Sequence, residues 1–115
     1  MALSQFEQKR VEVEIGRYVE SKRPPEKIRD QVDLGFKIED QSVILFELRP
    51  QWKKPKVKTE MAFAKATYLK SKDLWKIYWM RANGKWHQYE PNPEVDQLID
   101  FLNLVEADEH ACFWG

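Results

Sequence analysis

An α+β domain, an antiparallel five-strand meander with an N-terminal and a C-terminal helix packed on one face, follows from three features of the sequence. Residues 3–22 repeat apolar side chains at helical spacing, residues 32–90 alternate apolar and polar side chains between short turns, and residues 92–105 return to the helical period. Short links between strands favour antiparallel neighbours in one sheet. Helices sharing one face of that sheet complete a two-layer arrangement. With 115 residues, the chain is expected to be a single domain, 1–115.

The first helix, 3–22, lacks proline and carries Ser4 with Glu7 three residues on, the pattern of a capping box. Val11, Ile15, Tyr18 and Val19 share one face and Phe6 and Val13 a second flank, a breadth that suits packing on a sheet. Pro24-Pro25 ends it, because the residue before a proline is pushed out of the α region. Val32, Leu34, Phe36 and Ile38 then alternate with polar residues or glycine as a half-buried strand. After a turn at 39–41, residues 42–49 are apolar on both faces at first, as a central strand would be, and Pro50 closes them. A lysine-rich connection, 51–59, leads to strands 61–70 and 73–81, joined through Ser71-Lys72. Asn83-Gly84 predicts a two-residue type I′ turn into strand 85–90. Asn92 is the expected cap of the last helix, with Pro93 in its first turn and Val95, Leu98, Ile99, Leu102 and Val105 as its stripe. The apolar end, Cys112-Phe113-Trp114, is expected to dock.

Two-residue loops at both hairpins set a register. Tyr68 then faces Trp75, Ala66 faces Ile77, Ala64 faces Trp79, and Arg81 faces Trp86. Small alanines opposite large rings mark that face as core, with Trp79 a core aromatic. The other face sets Lys65 beside Tyr78, Tyr78 beside Tyr89, Thr67 beside Lys76, and Met80 beside His87.

Formal net charge is zero, yet the charges are segregated. Residues 48–89 hold eleven Lys/Arg against two acids, whereas residues 90–115 hold seven acids and no Lys or Arg. Either the acidic segment folds back over the basic middle, or a basic surface is left for a polyanion. Glu7, Lys9, Arg10, Glu12 and Glu14 break up the amino-terminal stretch, unlike a signal peptide, and no run approaches the ~20 apolar residues of a membrane span. Cys112 is the only cysteine, so no internal disulfide forms, and the expected location is the cytoplasm.

A face that is both aromatic and basic is the kind of surface that stacks bases and holds phosphates. The leading expectation is therefore a non-enzymatic module binding single-stranded nucleic acid or another polyanion. Lys53, Lys54, Lys56, Lys65, Lys76, Arg81 and His87 would supply charge, and Trp52, Tyr78 and Tyr89 stacking planes. The second reading is a protein-interaction or homodimerisation domain using a sheet edge or the apolar tail. A small hydrolase or nuclease is the third. It would use Cys112 with His87 or His110, or Asp33 with Glu47 and Arg49. A lone cysteine in an apolar tail with no basic neighbour reads as a structural thiol. Asp108, Glu109, His110 and Cys112 lack the second Cys/His pair that a structural metal takes. No catalytic, cofactor or metal residue is assigned.

Several motifs carry a resemblance. They are Arg23-Pro24-Pro25, Ile28-Arg29-Asp30-Gln31 and Asp33-Leu34-Gly35-Phe36, then Phe46-Glu47-Leu48-Arg49-Pro50 with Trp52. Lys65-Ala66-Thr67-Tyr68, Leu74-Trp75-Lys76, Tyr78-Trp79, Lys85-Trp86-His87, Glu90-Pro91 and Cys112-Phe113 complete the set. Together they resemble the small bacterial family catalogued as domain of unknown function three-zero-two-four. The resemblance implies a bacterial protein and brings no activity, cofactor or catalytic residue with it.

Overall fold

Ser4 and Glu7 close the start of α1 (Gln5–Lys22) reciprocally: the Ser4 hydroxyl accepts from the Glu7 N–H, and the Glu7 carboxylate accepts from the Ser4 N–H, both at 3.2 Å. The computed structural model describes residues 4–51, 53–54, 56–108 and Phe113. Val11, Ile15 and Val19, one turn apart, are the buried residues of α1, while Tyr18 is half-buried. Phe6 and Val13 do not meet the sheet; they are 73% and 48% exposed.

After Pro25 and a short 3-10 turn (Glu26–Ile28), six strands follow: β1 (Asp33–Glu39), β2 (Ser42–Pro50), β3 (Lys58–Leu69), β4 (Leu74–Met80), β5 (Trp86–Gln88) and β6 (Glu94–Val95). The first five form the expected antiparallel meander in chain order, and α2 (Leu98–Ala107) follows. The two-residue β6 is additional. It pairs with Trp75 and Lys76, sharing an edge of β4 with β5, which pairs with residues 78–80.

β3 begins three residues before the expected position. The ladder continues through Arg49↔Thr59 and Pro50↔Lys58, and the Gln51 N–H reaches the Val57 carbonyl at 2.8 Å, so the lysine loop is shorter. Between Leu45/Ala64 and Phe46/Ala62 the register shifts by one. Phe63 is the extra residue of this bulge, and it joins the core.

The β3–β4 register is the expected one, with Tyr68↔Trp75, Ala66↔Ile77 and Ala64↔Trp79. The β4–β5 register is not. Its partners are Met80↔Trp86, Trp79↔His87 and Tyr78↔Gln88, one residue away from the two-residue-loop expectation. The cause is a three-residue loop, Ala82-Asn83-Gly84. Arg81 N–H bonds to the Lys85 carbonyl at 3.1 Å, and Gly84 alone takes a positive φ, 77°. Because side chains alternate with period two, this slip exchanges the two faces of β5.

The last helix starts later than expected. Gln97, not Asn92, is its N-cap, and the Asp100 carboxylate accepts from the Gln97 N–H at 3.2 Å. Residues 93–95 are held at β4 instead, where the Pro93 carbonyl accepts from the Ile77 N–H at 2.9 Å. Leu98, Leu102 and Val105 of the expected stripe are buried, but Ile99 is 43% exposed. Phe113 docks as expected: it is buried, its ring centroid lies 4.9 Å from that of Tyr89, and its N–H donates to Asp108. The expectations for Trp52, His110, Cys112 and Trp114 fall outside the described residues.

Both helices contribute to one core with Val43, Leu45, Ala64, Ala66, Trp75 and Ile77. Trp79 is only half-buried against it, so it is less of a core residue than Trp75. The sheet's opposite face carries Lys37, Ile44, Lys65, Thr67, Tyr78 and Trp86. No helix among the described residues is long and apolar enough to cross a membrane.

Candidate functional site

Antiparallel pairing puts Ile44 of β2 beside Lys65 of β3, Lys65 beside Tyr78 of β4, and Trp86 of β5 diagonally beyond. The indole of Trp86 leans back across β4. As a result the Lys65 ammonium lies 4.9 Å from the ring centroid of Tyr78 and 4.8 Å from that of Trp86. Both distances suit cation–π attraction. Among the described residues no carboxylate is within ion-pair distance of Lys65. Burial among the rings holds its ammonium below the ordinary lysine range, while Glu39 at longer range pulls the other way.

Beside the rings is a polar hollow lined by Glu39, Gln41, Ser42, Lys65, Thr67 and Trp86. The hydroxyls of Ser42 and Thr67 are hydrogen-bonded there at 2.7 Å, across the β2–β3 ladder. The arrangement offers two aromatic planes, one ammonium and two hydroxyls on the sheet face opposite the one that the two described helices pack against.

Only part of the expected surface gathers here. Lys65 and Tyr78 are adjacent, and Lys76 lies on the same face, though Glu94 of β6 stands opposite it. Tyr89 is not a stacking plane. It is 2% exposed in the core, because its N–H bonds to the Ile77 carbonyl and its ring packs on Phe113. His87 pairs with Trp79 and so points to the helix-covered side, where its Nε2 is 3.3 Å from the Asn83 amide nitrogen. Arg81 does not face Trp86; its guanidinium lies 5.5 Å from the Trp79 ring on that same side. Lys53, Lys54 and Lys56 are exposed on the β2–β3 loop, roughly 20 Å along β3 from Lys65. Trp52 lies outside the described residues.

Trp86 was not among the expected site residues. Gly84 was the available signal, since a three-residue hairpin with glycine at its left-handed position turns Trp86 outward.

The acid pair expected of a nuclease does not assemble. Asp33 pairs with Leu48 and Glu47 with Leu34 in one ladder, so the two carboxylates point to opposite faces. Each has its own partner. Arg23 grips Asp33 through Nε and Nη2 at 2.9 and 2.8 Å, and Arg49 donates to Glu47 at 2.9 Å. Among the described residues no three His, Cys, Asp or Glu side chains gather at metal-ligand spacing. The acid Glu106 does not turn to the basic middle; it takes Lys22 and the Tyr18 hydroxyl of α1.

Fold and site together define a two-layer α+β domain with helices on one sheet face and an aromatic, lysine-bearing patch on the other. The chain belongs to the family described as Domain of unknown function (DUF3024), whose sequence model matches residues 3–115. No curated protein and no solved structure matches it.

Proposed function

We propose that the protein is a non-enzymatic binding module for single-stranded nucleic acid, with Tyr78 and Trp86 as stacking planes and Lys65 as the phosphate contact. One observation carries the reading: the Lys65 ammonium is held between two rings, and among the described residues no carboxylate is in ion-pair reach. A lysine so placed gains from an anion that approaches along the sheet, and the rings offer π-faces to any base. Lys76 adds charge on the same face, and Ser42 and Thr67 add hydroxyls at its border.

The test is fluorescence-anisotropy titration of labelled single-stranded oligonucleotides at several salt concentrations. The parent is expected to bind, more weakly as salt rises. Trp86→Ala should weaken binding about tenfold or more, in keeping with a stacking contribution of about 1–3 kcal/mol per base. Lys65→Gln should reduce the slope of affinity against salt. A parent that binds no oligonucleotide, or variants that bind as the parent does, would overturn the reading.

A further inference from the structure

The polar hollow beside the Lys65 rings, about 600 Å³, is divided in charge. Across the strands one row of side chains runs Glu39, Ser42, Thr67, and the next runs Lys37, Ile44, Lys65, Tyr78. The rows are about 7 Å apart, two residues along each strand. Glu39 and Asp40 make one side of the hollow acidic, and Lys65 makes the other basic. Lys37 does not cancel the acids, because it serves both Glu39 and Glu60. The Gln41 carbonyl accepts from the Tyr68 N–H at 2.8 Å, which pins the β1–β2 turn against β3 and forms the hollow in advance of any ligand.

The half-buried hydroxyls of Ser42 and Thr67 stand between these two sides. Two hydroxyls hold two protons. One closes the 2.7 Å bond between them, the other is left to donate outward, and each oxygen keeps a lone pair to accept. Among the described residues neither hydroxyl has a further partner.

From this we infer that the nucleic acid is RNA, told from DNA by a ribose 2′-hydroxyl seated in this hollow; the inference rests on the single-stranded nucleic-acid reading above. A 2′-hydroxyl both donates and accepts, so it matches the free proton and the free lone pairs of the Ser42–Thr67 pair. Deoxyribose has only C–H at that position and leaves both unmatched. The acids set the same order. Glu39 and Asp40 repel a phosphate yet accept from a hydroxyl, so the phosphate goes to Lys65 and the sugar to the hollow. The separation of the two rows is one that a single nucleotide spans.

Fluorescence anisotropy with labelled oligouridine, oligodeoxyuridine and 2′-fluoro-oligouridine of one length is the test. The three share base and phosphate, and the fluoro sugar keeps the ribose pucker without a proton to donate. The parent should bind oligouridine at least fivefold tighter than either of the others. In the double variant Ser42→Ala with Thr67→Val, checked for the parent's circular dichroism, the ratio of ribose to deoxyribose affinity should fall to about one. If that variant fails to fold, the fluoro comparison in the parent decides. Equal affinity of the parent for oligouridine and oligodeoxyuridine would overturn the RNA inference and leave the stacking reading standing. Oligouridine and its fluoro analogue binding alike would assign the preference to pucker, and a preference surviving in the double variant would seat the ribose elsewhere; either result overturns the inference. A parent that binds none of the three would overturn both readings.

Discussion

The ring of Phe46 occupies the space where a side chain at Gly35 would stand. The two residues are direct partners across β1 and β2, and a β-carbon on Gly35 would lie 2.7 Å from Cε1 and 2.8 Å from Cζ of Phe46. Glycine is needed there for close approach. Gly35→Ala should destabilise by about 1–3 kcal/mol, the usual penalty for forcing a packed ring aside. Adding Phe46→Leu should recover part of the loss, because the two residues share one space. Urea denaturation of the parent, both single variants and the double variant measures this coupling. Simple additivity would contradict the steric account.

Tyr89 and Trp86 offer a direct check of the second hairpin. With Tyr89 in the core and Trp86 on the open face, Tyr89→Ala should cost on the order of 3–5 kcal/mol. Trp86→Ala should cost clearly less, since the indole keeps part of its surface in water. The reverse order in chemical denaturation would restore the two-residue loop and its opposite faces.

Arg23 and Asp33 tie the end of α1 to the start of β1 through a two-pronged pair. The Asp33 carboxyl is held below its ordinary range, chiefly by the Arg23 hydrogen bond and further by the Leu34 N–H at 2.8 Å. A carboxyl lowered on folding stabilises above its unfolded pKa, and that stability is lost as pH falls through the folded value. Parent stability should therefore fall as pH drops below about 4, the ordinary aspartate range. Asp33→Asn should remove this part of the pH dependence and lower the urea midpoint at neutral pH. Parallel curves for parent and variant from neutral to acid would count against the linkage.

Lys54 and Lys56 stand on the exposed loop after β2, away from the Lys65 platform. Reversing both to glutamate should change stability by no more than about 0.5 kcal/mol. If single-stranded nucleic acid binds the sheet face, the double variant should weaken binding at low salt and flatten its salt dependence. The further effect of Trp86→Ala should be nearly unchanged in that background, because distant sites add. Strong coupling between the loop and Trp86 would join the two into one contact surface.

The legible parts of the fold rest on neighbours in sequence. Ser4 with Glu7 and Pro24-Pro25 mark the ends of α1 through hydrogen bonds and sterics within one turn. Alternation from 32 to 38 and the alanines facing Trp79 and Ile77 fix the sheet and the β3–β4 register, because period two allows only one buried face. At the candidate site, Lys65 and Tyr78 were legible for the same reason.

What the tertiary structure decided is which aromatics are inside. Asn83-Gly84 is compatible with a two-residue or a three-residue loop, and local sequence prefers neither strongly enough. The choice falls to contacts distant in the chain: Tyr89 packs its ring on Phe113, and β6 takes residues 94–95 to the edge of β4. One residue of slip then turns Trp86 out to meet Lys65 and sends His87 to the helix-covered side. Long-range burial outweighs local turn preference because it removes whole aromatic rings from water, whereas the two turns differ little in energy.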